Sequence, residues 1–148
     1  MNICNYFFNI LFIIIFLKIE TYKLYFLKSY LNMKTKVLFV QGLNREITFY
    51  IGENQHENFD VIDLGKPDDL WFHINNMASC HVVAILPEDV EKNDLRYIIK
   101  IGAILCKTNT NKLKSLNKIE IIYAQIKHVV KTLIPGCVEI LSGKTIII

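Results

Sequence analysis

Two short stretches hold most of the residues that could do chemistry: Asp68-Asp69-Leu70-Trp71-Phe72-His73-Ile74 and, five residues on, Ser79-Cys80-His81-Val82-Val83. Between them they contain the only tryptophan and two of the four histidines. A His/Cys cluster invites a metal, paired aspartates invite general acid–base work, and a tryptophan beside histidines invites stacking on a flat ligand. Strand geometry decides against the first. Neighbouring side chains in a strand point to opposite faces, so Cys80 and His81 do not share an ion, and His73 with His81 lacks a third ligand. Asp68 and Asp69 follow Pro67 where a strand begins, a position for turn or cap formation. The chain has no glycine-rich phosphate loop, no nucleophile elbow and no His-Glu-x-x-His. No catalysis, metal or cofactor is expected. What remains is a surface. Period-2 alternation puts Trp71 and His73 on one face of the first strand, with Leu70, Phe72 and Ile74 on the other, and an antiparallel hairpin brings His81 alongside. The result is either a recognition surface or a half-buried core.

Charge points to a partner for such a surface. The formal net charge is only +3, but it is unevenly spread: residues 33–91 carry four Lys/Arg against ten Asp/Glu, and residues 92–148 carry ten against three. A basic C-terminal half attracts polyanions. Lys107, Lys112, Lys114, Lys127 and Lys131 are candidates to neutralise phosphates, which adds affinity but little sequence information. Trp71, His73, His81 and Tyr123 are candidates to stack on or hydrogen-bond to unpaired bases. The four cysteines (4, 80, 106, 137) are far apart without a Cys-x-x-Cys, which argues against a zinc ribbon or a disulfide framework. Cys80, Cys106 and Cys137 read as small core residues in a reducing compartment.

These side chains need a scaffold, and from Met33 onward the pattern supplies one. Val37 to Val40 and Ile47 to Ile51 read as a hairpin turned at Gly42-Leu43-Asn44-Arg45. A short helix follows near 54–64, capped by Asn54, with Phe59, Ile62 and Leu64 as its apolar side, and Gly65-Lys66-Pro67 stops it. After the Trp71/His81 hairpin, Asn93 or Asp94 caps a longer helix near 94–107, on which Leu95, Ile98, Ile99, Gly102, Leu105 and Cys106 recur at helical spacing. A polar loop, a strand from Ile119 to Tyr123, and two last strands (138–141 and 145–148) joined by Ser142-Gly143-Lys144 complete the chain. The class is α+β, a mostly antiparallel sheet with two helices.

The N-terminal segment, residues 1–32, stands apart from a domain at 33–148. Its first seventeen residues carry no charge. It reads as a membrane anchor through residues 3–17, as an upstream extension with translation starting at Met33, or as a docked amphipathic arm. The first gives a membrane-attached sensor of polyanions such as DNA; the second gives a cytoplasmic module.

The order Asp-Leu-Trp-Phe-His-Ile followed by Ser-Cys-His-Val resembles the signature of the NFACT-R (DUF814) family. Gly52 and then Asn58 are similar to that family's Gly-x-x-x-x-x-Asn entry into its first helix. Gly65-Lys66-Pro67-Asp68-Asp69, Lys107-Thr108-Asn109, the run from Tyr123 to Lys131, Pro135-Gly136 and Lys144-Thr145-Ile146 resemble later family segments in the same order. The resemblance covers about residues 37–148 and is to small standalone members. It implies a non-catalytic RNA-binding module, with Trp71, His73, His81, Lys107, Asn109, Lys112, Lys114, Tyr123, Lys127 and Lys131 as contacts. It also implies tRNA or ribosomal RNA as partner, on the large ribosomal subunit, in quality control of stalled translation. The chain departs from the family at Glu53-Asn54-Gln55-His56-Glu57, where members carry Lys or Arg; this shifts the expected phosphate contacts to the C-terminal half.

Overall fold

Apolar residues on both parities of the central strands require a sheet covered on both faces. The computed structural model describes residues 3–113 and 116–148. The elements run α1 (Ile3–Asn32), β1 (Lys34–Val40), β2 (Arg45–Gly52), α2 (Gln55–Leu64), β3 (Leu70–Ile74), β4 (His81–Ala84), α3 (Leu95–Thr108), β5 (Glu120–Gln125), β6 (Val129–Lys131), β7 (Val138–Ile140) and β8 (Lys144–Ile147). Six strands form one antiparallel sheet in the order β1-β2-β4-β3-β5-β8, and β6 pairs with β7 in a small second one. This is the expected α+β class.

The chain divides into two units, Met1–Asn32 and Met33–Ile148. The first is α1, continuous through the 18–32 stretch that shows no caps in the sequence. No helix among the described residues is long and apolar enough to cross a membrane. The charge-free stretch ends before Lys18, short of the roughly 20 residues that a bilayer core typically asks of a helix.

In the second unit the two faces of the sheet bury different sets. Leu70, Phe72, Ile74, Val82 and Ala84 pack with Ile98, Ala103, Leu105 and Cys106 of α3. Trp71 and Val83 point the other way, into a cluster with Val61 and Ile62 of α2, Ala124 and Val129. Each large apolar side chain so buried contributes about 1.5–3 kcal/mol. The helix α3 lies close on its face because Gly102 has no side chain: a Cβ there would stand 2.5 Å from the Phe72 ring. Gly102→Val is therefore expected to cost about 3 kcal/mol by overpacking, read as a lower urea midpoint at unchanged slope. A variant as stable as the parent would show that α3 can lift freely from the sheet.

Local chemistry sets the ends of the helices. Asn54 caps α2, its Oδ1 accepting from the backbone N–H groups of His56 (3.1 Å) and Glu57 (3.0 Å). Val61 and Ile62 are its buried apolar residues, while Phe59 and Leu64 are half-buried. Asp94 holds the N-cap position of α3 without a side-chain capping bond, because its backbone is already helical (φ −84°, ψ −25°). Asp69 closes the turn after α2 as expected: its buried carboxylate accepts from Lys66 N and Leu86 N, both at 2.7 Å.

Two expectations are corrected. The last two strands do not form a hairpin. β7 pairs with β6 (Val129↔Ile140) and β8 with the edge of β5 (Tyr123↔Lys144), so Ser142-Gly143 carries the chain from one sheet to the other. A three-residue strand such as β6 is too short to show its alternation, and without it β7 has no visible partner. Cys80 and Cys106 are buried as expected, but Cys137 is exposed beside the β6–β7 turn.

Candidate nucleic-acid interface

The alternation of β3 and its antiparallel pairing with β4 bring three rings together. The Trp71 and His73 rings stack at 5.5 Å with 9° between planes, and His81 meets Trp71 (5.0 Å) and His73 (5.1 Å) edge-on. Trp71 and His81 are each 1% exposed, whereas His73 is only partly buried. The question of core or surface for Trp71 thus has a double answer: the indole belongs to the core under α2 and also lines a cleft of about 810 Å³.

A three-part clamp sets His81. Gly52, at the end of β2, lets α2 start hard against the sheet, since a Cβ there would lie 2.5 Å from Asn58 Oδ1. That same Oδ1 accepts from His81 N at 2.9 Å, and the Asn58 carbonyl lies 2.9 Å from His81 Nδ1. Burial, then the neighbouring His73, push the His81 pKa down to about 3 against the pull of the Asn58 carbonyl. Burial also lowers His73, opposed by the Ile74 backbone. Both rings are neutral near pH 7. Among the described residues no group of three His, Cys, Asp or Glu is placed to hold a metal.

Around the rings, the cleft is lined by amides and small polar groups, among them Asn54, Asn58, Asn75, Ser79, Asn109 and Thr110, interleaved with apolar side chains such as Met77 and Ile122. The turn Pro135-Gly136-Cys137 and the side chains of Val138 and Ile140 form the opposite lip. One cation, Lys112, and one acid, Glu53, are the charged members of this lining. The sequence reading found Asn109 and Lys112 but missed the other amides. The Gly52-to-Asn58 spacing was the one signal for them, since the remainder reach the cleft from separate loops.

The other expected contacts are dispersed. Tyr123 faces away from Trp71: it pairs with Phe72 in the β3–β5 register, its ring 6.1 Å from the Phe72 ring. There it lines a second pocket with Lys92, Arg96, His128 and Lys144. Lys127 is bound to Asp68 at 2.6 Å, and Lys131 to Asp63, with its ammonium 5.1 Å from the Phe59 ring centre. Lys107 closes α3 partly buried, and Lys114 lies outside the described residues.

An α+β sheet whose one face ends in a neutral cleft of aromatic rings and amides defines a recognition module. The family model of the NFACT protein RNA binding domain matches residues 36–142, and the chain belongs to that family. It therefore carries a domain of an RNA-binding type. Among similar curated proteins are coiled-coil domain-containing protein 25 of Danio rerio, 33% identical over 86 residues (57% of this chain, 42% of that protein). Its homolog in Dictyostelium discoideum is 31% identical over 97 residues (65% of this chain, 47% of that protein). The chain thus spans under half the length of the curated relatives it matches. The fold also matches the C-terminal part of the fibronectin/fibrinogen-binding protein from Streptococcus suis, with a TM-score of 0.64 at 20% identity, covering 78% of this chain and 45% of that one.

Proposed function

We propose that the domain binds RNA without altering it, holding an unpaired segment of a folded RNA in the Trp71/His73/His81 cleft. The observation that carries this reading is the cleft itself: stacked rings and a ring of amides, wide enough for nucleotides and poor in fixed charge. Single-stranded RNA recognition relies on such stacking and edge hydrogen bonds, with phosphates held at the rim. In this reading Lys112, and Lys107 and Lys114 nearby in sequence, hold the rim phosphates. Lys127 and Lys131 contribute less than their charge suggests, being engaged by Asp68 and Asp63.

The RNA is tRNA or ribosomal RNA, met on the large ribosomal subunit in the cytoplasm during quality control of stalled translation. Family membership and the resemblance to standalone members support this finer reading. Filter binding against tRNA, a ribosomal RNA fragment and single-stranded DNA tests it. Lys112→Glu is expected to weaken RNA binding several-fold and to reduce the salt slope by about one, with the fold unchanged. No binding to either RNA would overturn the reading; stronger binding to the DNA would redirect it.

A further inference from the structure

We infer that Trp71 and His81 form a donor–acceptor pair in the wall of the cleft that recognises an uncharged group of a nucleotide, a ribose hydroxyl or a base edge, and not a phosphate. The inference rests on the cleft being the RNA site. Trp71 Nε1 and His81 Nε2 are buried, and among the described residues neither has a hydrogen-bond partner. An unpaired buried polar group costs about 1–3 kcal/mol, so native proteins keep few of them. Two on adjoining rings, whose centroids are 5.0 Å apart and which both line one cleft, point to a common ligand.

The chemistry of the pair is fixed by its neighbours. An indole N–H only donates. A carbonyl only accepts, so the Asn58 oxygen takes the Nδ1 proton of His81 and leaves Nε2 as a bare acceptor. Burial holds the ring neutral, so this acceptor is not turned into a donor near pH 7. A phosphodiester has acceptors alone and gives His81 Nε2 nothing; its charge would also lose water against a neutral wall. A hydroxyl, or a base edge with an amino group beside a ring nitrogen or carbonyl, offers both roles. The amides of Asn75 and Asn109 share the lining, their NH2 groups donating to Glu120 and to the Leu105 carbonyl while their oxygens are acceptors of the same kind as His81 Nε2. His73, the most exposed of the three rings and stacked on Trp71, is the first that a ligand meets on its way to the pair.

Because Trp71 is the only tryptophan, the full chain labelled with ¹⁵N gives one indole N–H resonance, a direct reporter of one member of the pair. Titration with a single-stranded RNA oligonucleotide is expected to shift that resonance and slow its exchange with solvent. Saturating inorganic polyphosphate is expected to leave it in place. DNA of the same sequence and an abasic RNA separate the two sources of the chemistry. A shift lost with DNA assigns the ribose 2′-hydroxyl; one kept with DNA and lost with abasic RNA assigns the base edge; one kept with both overturns the inference. RNA that binds in a filter assay without moving the indole, or polyphosphate that moves it equally, also overturns it and leaves RNA binding standing. No RNA binding at all removes both. Trp71→Phe, which keeps a ring in the core and deletes the N–H, is expected to weaken RNA binding about tenfold, the value of one hydrogen bond, with polyphosphate binding unchanged.

Discussion

Trp71→Ala is expected to cost about 3–5 kcal/mol of folding stability, the usual range for emptying the site of a large buried aromatic. The indole is 1% exposed and packs with Val61 and Ile62 of α2, Val83 of β4, Ala124 of β5 and Val129 of β6. It is the largest side chain of that cluster, so its loss loosens α2 against that face of the sheet. Domains of this size are stable by roughly 5–15 kcal/mol, so the variant retains a fold but with a melting temperature lower by on the order of 15 °C. Trp71→Phe is expected to lose about 1–2 kcal/mol, since most of the ring contact survives. Thermal melts followed by circular dichroism check both. If Trp71→Ala lost under about 1 kcal/mol, the indole would be a surface group and the cleft would have no rigid wall. The comparison also separates stability from recognition: Trp71→Phe isolates the N–H, and Trp71→Ala removes the core with it.

The local part of this arrangement was legible in the sequence, and the long-range part was not. Alternation is a property of neighbouring residues, so the division of Leu70, Phe72 and Ile74 from Trp71 and His73 follows from the strand alone, and one antiparallel turn adds His81. Tyr123 needed a register. Its pairing with Phe72 rather than with Trp71 sends it to the α3 side, and nothing within the Tyr123-to-Lys131 run states that pairing. The setting of the two lysines was hidden for a similar reason. The carboxylates that engage Lys127 and Lys131 lie 59 and 68 residues away, so their neutralisation is invisible to a count of charges along the chain. The amides are the hardest case. Asn54, Asn75 and Asn109 each sit at a helix end or turn, where asparagine is ordinary for backbone reasons, and only the closed fold shows that they share a cleft. The Gly52-to-Asn58 spacing is the exception: it marks a contact in which a missing Cβ and one amide together place His81.

The burial of His81 also sets how the domain responds to acid. In the unfolded chain the imidazole titrates near 6.5, and in the folded protein its pKa lies at about 3. Below pH 6.5 the unfolded state therefore takes up a proton that the folded state refuses. Stability from this group is complete above pH 6.5 and is lost progressively as the pH falls toward 3. At pH 5 the interval is about 1.5 units, worth roughly 2 kcal/mol at 1.36 kcal/mol per unit. His73, shifted in the same direction by burial, adds a loss of the same sign. The lowered carboxylates of Asp89 and Glu120 titrate below this window and do not contribute between pH 6.5 and 5. Urea unfolding followed by Trp71 fluorescence at pH 7.5, 6 and 5 is expected to show the fall, and His81→Gln, whose amide can still donate to the Asn58 carbonyl, is expected to flatten it to the part carried by His73. Equal stability at pH 7.5 and 5 would mean that the ring reaches solvent. RNA affinity of the folded protein should follow a different course: with His81 still neutral at pH 5, its acceptor is intact, so binding per folded molecule holds while stability declines. A parallel loss of both would place the acidic transition in the site itself rather than in the unfolded chain.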